Sequence, residues 1–198
     1  MNKILFFLLV ICGSFGLYNC SSDKVAIGSG LMVSETPRQE KINSPASFQI
    51  EEYTITEIAT FDIKAKVLSK KNYRIGREAD LSPTDLALGW GKMSDDSILK
   101  KVRISQSNRW YWWRVDSFPI PRRAIETQSA NMHLIPASDS VKNAISKVRK
   151  GDIIEISGSL VNVRSNDGWR WTSSQTRNDT GDGACELIWV ESLRIVTL

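Results

Sequence analysis

His133 and Cys185 are the two residues whose types could together support nucleophilic chemistry. His133 is the only histidine of the 198-residue chain, and Cys185 is one of three cysteines. An imidazole beside a thiol increases the thiolate fraction, and an Asn or Asp then orients the ring. Asn131 would share a strand face with His133, but this spacing alone does not bring it to the ring. We expect His133 to be a structural residue, with catalysis as the alternative.

The signatures of common enzyme classes are absent from the sequence. The residues around Cys185 match no local catalytic-cysteine motif. There is no Gly-x-Ser-x-Gly, no phosphate-binding glycine loop and no His-Glu-x-x-His, and one histidine with three cysteines is too few for zinc. We therefore expect a protein without catalytic activity, cofactor or metal. The alternative is a hydrolase or transferase that uses His133 with Cys185 or a nearby carboxylate.

Three of the seven tryptophans lie within four residues, at Trp110, Trp112 and Trp113. On a strand Trp110 and Trp112 share one face, while Trp113 faces the other side. These rings either fill the core or form an exposed platform for a sugar ring, a peptide or a lipid headgroup. Arg109 and Arg114 flank the rings and suit stacking or an anionic group. These five residues are therefore candidate ligand-binding residues.

A long polar loop over residues 173–183 is a second candidate binding surface, with three charged residues near its tip: Arg177, Asp179 and Asp182. An EF-type calcium site is excluded, because Trp189 stands where the bidentate Glu is required. A different calcium geometry that uses Glu186 with the two loop aspartates is one alternative. We favour a loop held by an ion pair from Arg177.

The elements that must position these residues are mostly strands. Alternating residues predict a half-buried strand over Thr60–Leu68. Pro83 predicts a short helical turn over Thr84–Leu88, and a single helix is predicted between Ser138 and Lys150. Further strands are predicted at Leu99–Ile104, Trp110–Val115, Asp152–Val163, Gly168–Ser173 and Cys185–Val196. Gly158 interrupts the alternation within Asp152–Val163 and indicates a bulge or bend there.

Two resemblances follow from these patterns. The predicted order of elements resembles the part of an OB-fold in which a helix precedes the fourth strand. Here several strands are followed by one helix, then Lys-Gly-Asp and then an Ile-x-Ile-x-Gly strand. Four stretches together resemble a family of uncharacterised exported bacterial proteins: LGWGKMSD, SQSNRWYWWR, NMHLIPA and SSQTRNDTGDGACE. This resemblance implies no activity. The expected fold is mainly β, a small OB-like β-barrel with one short helix, preceded by a signal peptide and a disordered tether.

The first twenty residues have the pattern of a bacterial lipoprotein signal, with Lys3, the apolar run Ile4–Ile11 and then Cys20 as the lipidated residue. Asn19 departs from the small residue that usually precedes this cysteine, and an ordinary secretory signal is the alternative. Residues 20–47 are poor in aromatic residues and predict a flexible tether. Residues 48–198 suit a single β-rich domain.

These features predict a protein anchored at the cell envelope, on the outer membrane of a diderm bacterium. Basic residues are scattered and the net charge is only +4, so we expect no nucleic-acid partner. The expected function is a lipid-anchored binding or assembly module, whose ligand is an envelope protein, a glycan or a lipid. The alternative is the envelope hydrolase or transferase described above.

Overall fold

The computed structural model describes residues 30–176 and 185–196, and these residues are mainly β-structure. The segment predicted to be a signal peptide, Cys20 and the tip of the polar loop lie outside the described residues. The strands are β1 (Arg38–Lys41), β2 (Ser47–Ile50), β3 (Tyr53–Asn72), β4 (Thr84–Gly89), β5 (Arg103–Ser107), β6 (Trp110–Arg114), β7 (Ser129–Pro136), β8 (Ile153–Ser165), β9 (Arg170–Thr172) and β10 (Glu186–Val196). The α-helices in this part of the chain are α1 (Arg77–Leu81), α2 (Asp96–Leu99), α3 (Arg122–Thr127) and α4 (Asp139–Lys147), and a 3-10 turn spans Gly91–Ser94.

Five strands form a closed ring in the order β3, β4, β7, β10, β8 and back to β3. The pairs are antiparallel except β7 with β10, which run parallel. The main hydrophobic cluster takes side chains from every strand of this ring. Strand β9 extends the ring from β8, while β5 and β6 form a separate hairpin.

The longest strand confirms the alternation that the sequence predicts for residues 60–68. Phe61, Ile63, Ala65 and Val67 are buried on one face of β3, because apolar side chains two residues apart point to the same side of a strand. β3 extends well beyond the predicted bounds at both ends. This length lets one strand pair with both β4 and β8 and so close the ring.

The predicted helix after Ser138 and the predicted irregularity at Gly158 are both confirmed. The Ser138 side chain caps α4 by accepting a hydrogen bond from the Val141 N–H. A Cβ atom at Gly158 would lie only 1.9 Å from the backbone oxygen of Trp189. The register of β8 and β10 shifts beside this point. Only glycine therefore permits this approach of the two strands.

Three predictions about the elements are wrong. The segment Leu99–Ile104, predicted to be a strand, starts at the end of α2 and continues as a turn, and β5 begins only at Arg103. The segment Thr84–Leu88, predicted to be a helical turn, is strand β4, and all six residues of this strand are buried. A strand that is buried on both faces loses its period-two pattern, so its apolar run gives no sign of a strand. The prediction of a single helix is also wrong, because three short helices accompany α4 in the described residues. None of these helices is long and apolar enough to cross a membrane.

Part of the segment predicted to be a flexible tether is folded. Val33 is buried in the main core, and its backbone N–H donates to the Ser94 hydroxyl over 3.0 Å. Residues Arg38–Lys41 pair with β3 as strand β1. Composition missed these contacts because a few buried residues and backbone hydrogen bonds are enough to hold a polar segment on a sheet edge.

Candidate functional site

Three neighbouring strands of the ring bring together Asp85, His133 and Cys185. Asp85 on β4 and His133 on β7 are directly opposite each other in the antiparallel ladder. His133 is also opposite Leu187 in the parallel ladder to β10, and Cys185 immediately precedes that strand. Directly opposed residues have Cβ atoms about 5 Å apart, so their side chains on one face touch. The ring therefore assembles a carboxylate, an imidazole and a thiol from three distant parts of the sequence.

His133 lies between Asp85 and Cys185. Its Nδ1 atom is 3.0 Å from Oδ1 of Asp85, and both side chains are almost completely buried. The Nδ1–H bond does not point closely enough towards this oxygen for a well-formed hydrogen bond. The contact is therefore best described as an ion pair. Burial alone would lower the pKa of His133, but the Asp85 carboxylate and the Cys185 thiol raise this pKa to about 9. The ring is therefore an imidazolium at neutral pH, and the Cys185 thiol lies close enough to interact with it.

Arg109 contacts the same oxygen of the Asp85 carboxylate as His133 does. Its Nη1 atom donates to Oδ1 of Asp85 over 2.6 Å and to the backbone oxygen of Ser82 over 2.9 Å. Asn108 and Arg109 form the two-residue turn of the β5–β6 hairpin, and both have positive φ angles of 49° and 68°. Such a turn matches the twist of a hairpin, but it is costly for arginine. The turn places Arg109 over the ring strands instead of in solvent.

Aromatic rings enclose this charged cluster. The Arg109 guanidinium lies 3.8 Å from the centre of the Tyr73 ring and 5.6 Å from the Trp171 ring. Tyr73 also accepts a hydrogen bond from the Arg109 backbone N–H over 3.0 Å. The rings of His133 and Trp171 are 4.9 Å apart. Aromatic walls exclude water, which strengthens the attraction of Arg109 and His133 to Asp85.

Asn131 contacts the cysteine rather than the histidine. Its Nδ2 atom donates to the backbone oxygen of Arg109 over 3.0 Å and lies 3.9 Å from Sγ of Cys185. The Asn131 side-chain oxygen accepts a hydrogen bond from Nε2 of Gln106 over 2.6 Å. Asp85, not Asn131, is therefore the group that orients His133. The amide of Asn131 instead fixes the surroundings of the thiol.

The cluster opens to the surface through a pocket of about 290 Å³. Its lining consists of Arg109, Trp110, His133, Arg170, Trp171, Thr172 and Cys185. His133 is only 3% exposed but belongs to this lining, and Cys185 is partly exposed. His133 therefore borders the pocket although almost none of its surface is exposed. The pocket has His133 and Cys185 in one common wall.

The predicted tryptophan and arginine residues lie in different parts of the structure. Trp110 lines the pocket and lies 6.1 Å from the ring of Trp112, which is 55% exposed. Trp113 faces the other side of the hairpin and packs against Phe118. Arg114 is exposed and lies opposite Arg103, away from the pocket. The structure therefore brings Arg109 and Trp110 to the site and leaves Trp112, Trp113 and Arg114 outside it.

The polar loop is only partly described. Arg177, Asp179 and Asp182 lie outside the described residues, so the ion pair and the calcium alternative stay predictions. Glu186 follows the loop and is buried at the start of β10. Among the described residues, no group of three or more His, Cys, Asp or Glu side chains is placed to hold a metal ion.

Sequence reasoning missed Asp85, Tyr73, Arg170 and Trp171 as members of the site. One signal pointed to Asp85, because a carboxylate within an otherwise apolar run is costly to bury unless it is paired. The mistaken helical turn concealed that signal. The pairing itself depends on strand register, which the sequence does not reveal.

Comparisons of the chain with protein-family models, with curated proteins and with solved structures found no match. The chemistry of the site must therefore be inferred from its own geometry.

Proposed function

We propose that the protein is a thiol-dependent hydrolase or acyltransferase, in which Cys185 is the nucleophile and His133 the acid and base. The observation that carries this proposal is the position of His133, between a buried carboxylate and a partly exposed thiol, in the wall of a pocket. Asp85 orients the imidazole and stabilises its protonated form. A histidine with only a structural role would need neither the thiol nor the pocket.

The proposed reaction proceeds in two halves. In the first, the Cys185 thiolate attacks a carbonyl carbon, and a C–S bond forms as the carbonyl π electrons move to oxygen. The tetrahedral species then expels the leaving group, which takes a proton from the His133 imidazolium, and a thioester on Cys185 results. In the second half, water or another acceptor attacks the thioester while neutral His133 removes its proton. Cleavage of the C–S bond releases the acyl product, the Cys185 thiolate and an imidazolium.

Arg109 acts as a positioning residue in this proposal. It contacts the same Asp85 oxygen as His133 and supplies a second positive charge beside this fully buried carboxylate. Asn131 and the backbone oxygen of Arg109 both lie 3.9 Å from the Cys185 sulfur. These contacts hold the nucleophile close to the imidazole, which is the geometric requirement for proton transfer.

The finer interpretation of the fold is also a proposal. The ring order, the single parallel pair and the position of α4 between β7 and β8 support an OB-like barrel. The lipoprotein-like segment at Cys20 supports a location at the cell envelope. Under this proposal the enzyme acts on acyl compounds of the envelope from a membrane surface.

A second candidate is the envelope binding module, and the observation in its favour is Trp112. This ring is 55% exposed beside the half-buried Trp110, and exposed aromatic pairs suit sugar rings, peptides and lipid headgroups. Such binding requires neither the thiol nor the imidazolium. The two candidates therefore differ in whether Cys185 becomes acylated.

The test is capture of the acyl-enzyme with p-nitrophenyl acetate as the probe. We expect a burst of p-nitrophenolate and one hydroxylamine-sensitive acetyl group on Cys185, located by peptide mass spectrometry of the full chain. His133→Ala should abolish the burst, and Trp112→Ala should preserve it. Acetylation of Cys185 that is equally fast in the urea-unfolded chain would contradict the proposal.

A further inference from the structure

Arg170 is the one arginine in the pocket wall that has no carboxylate partner among the described residues. The other, Arg109, is committed to Asp85. Arg170 lies directly opposite Arg164 in the β8–β9 ladder, and both side chains are exposed. Like charges placed directly opposite each other destabilise a sheet. The fold therefore gains nothing evident from a cation at position 170.

The charge of the pocket also favours a role for Arg170 in ligand binding. Its described lining contains Arg109, Arg170 and His133 and no carboxylate. Asp85 lies behind the lining and balances one of these three positive charges, and the Cys185 thiolate of the proposed reaction balances a second. Trp110 and Trp171 supply apolar walls beside Arg170. A pocket of this size, with aromatic walls and excess positive charge, suits a small anionic group.

We propose that the substrate carries a carboxylate next to the carbonyl that Cys185 attacks, and that Arg170 binds this carboxylate. This inference rests on the proposed function and names its substrate class: an amide, ester or thioester whose reacting carbonyl lies close to a free acid, as at the end of a peptide. A carboxylate beside a thiolate is repelled unless a cation lies between them or next to them. Arg170 lines the same small pocket as Cys185, so the proposal assigns this role to its guanidinium.

Two alkylating reagents that differ only in charge provide the test. Iodoacetate is anionic and iodoacetamide is neutral, and the thiolate displaces iodide from either. Their rates at Cys185 are measured on the full chain by peptide mass spectrometry, for the wild type, Arg170→Gln and Arg164→Gln. Arg164→Gln is the matched control, since it relieves the same repulsion without a change in the pocket wall. The urea-unfolded chain gives the reference ratio of the two rates.

We expect the ratio of iodoacetate to iodoacetamide rates to be about tenfold higher at Cys185 in the folded protein than in the unfolded chain. Arg170→Gln should remove most of this preference, and Arg164→Gln should retain it. An unchanged ratio in the folded protein, or an equal loss in both variants, would overturn the assignment of Arg170. That result differs from a failure of the proposed function, in which iodoacetamide itself would react no faster with folded than with unfolded Cys185.

Discussion

Nδ1 of His133 lies 3.0 Å from Oδ1 of Asp85, and the two residues are directly opposite each other on β7 and β4. The register of these strands therefore creates the ion pair at the centre of the site. A slip of one residue would turn one of the two side chains to the opposite face of the ring. The same register puts Met132 and Leu134 into the core. Core packing and site assembly are thus fixed by one ladder of hydrogen bonds.

Loss of the Asp85 charge should destabilise the protein strongly. Asp85→Asn leaves the Arg109 guanidinium and the His133 imidazolium without their shared carboxylate, at a cost of about 3 to 5 kcal/mol. Urea unfolding followed by circular dichroism measures this loss. The matched control is Asp62→Asn, because Asp62 also pairs with an arginine, Arg38, over 3.8 Å, but both side chains of this pair are exposed. We expect the control to change the free energy of unfolding by less than about 1 kcal/mol, and a similarly small effect at Asp85 would contradict the account.

Stability should fall as the pH rises through the pKa of His133. The folded pKa is about 9 and the ordinary value is 6.5, so the folded state binds the proton more tightly. The resulting stabilisation, on the order of 3 kcal/mol, is fully present below about pH 6.5 and lost as the pH rises to about 9. The charged and titratable groups that face His133 belong to β4, the β5–β6 turn, β9 and the segment before β10: Asp85, Arg109, Arg170 and Cys185.

Urea unfolding at about pH 6 and about pH 9.5 measures this dependence. His133→Gln should remove most of the loss, because no proton is then taken up at this position. Cys185→Ala is the second variant, since it removes the thiol and leaves the pair of Asp85 and His133. It should keep a smaller loss of the same sign. Equal loss of stability in the wild type and His133→Gln would contradict the assigned pair.

Closure of the ring should depend on Gly158. An alanine Cβ at this position would lie 1.9 Å from the backbone oxygen of Trp189, so β8 and β10 would have to separate. We expect Gly158→Ala to cost more than about 3 kcal/mol, because the displaced strands both contribute to the core. Ser157→Ala is the control, since this neighbour already carries a Cβ. Chemical denaturation of both variants makes the comparison, and equal stabilities would argue against so close an approach of β8 and β10.

Substitution of two tryptophans should change the free energy of unfolding by very different amounts. Trp90 is 1% exposed in the main core, so Trp90→Ala should cost about 3 to 5 kcal/mol. Trp112 is 55% exposed, so Trp112→Ala should change stability by less than about 0.5 kcal/mol. Thermal melting of both variants provides the measurement. Acrylamide quenching should also decrease in Trp112→Ala, because this variant removes an exposed ring.

Local patterns predicted the parts of the fold that depend on neighbouring residues. The alternation in β3, the Ser138 cap of α4 and the bend at Gly158 are all encoded in short stretches of sequence. Strand β4 was missed because its burial on both faces hides the alternation. Val33 was missed because its anchor, Ser94, is distant in sequence.

The candidate site was predictable only in part. The types of His133 and Cys185 suggested their chemistry, and Arg109 was singled out beside the tryptophans. The carboxylate that orients His133 was not identified, because its approach depends on the pairing of β4 with β7. Arg109 was expected to meet a ligand, but its hairpin turn directs it onto Asp85. The contacts within the site thus depend on strand register and turn geometry, which residue types alone do not reveal.

The pH dependence of Cys185 alkylation tests the central claim most directly. Iodoacetamide reacts with the thiolate, so the rate at Cys185 reports whether His133 supplies a positive charge to the sulfur. We predict that at about pH 6 the folded wild type reacts at least about tenfold faster than either His133→Ala or the urea-unfolded chain, as measured by peptide mass spectrometry. If the three rates are equal and rise together with pH, His133 does not activate Cys185 and the proposed catalytic pair is wrong.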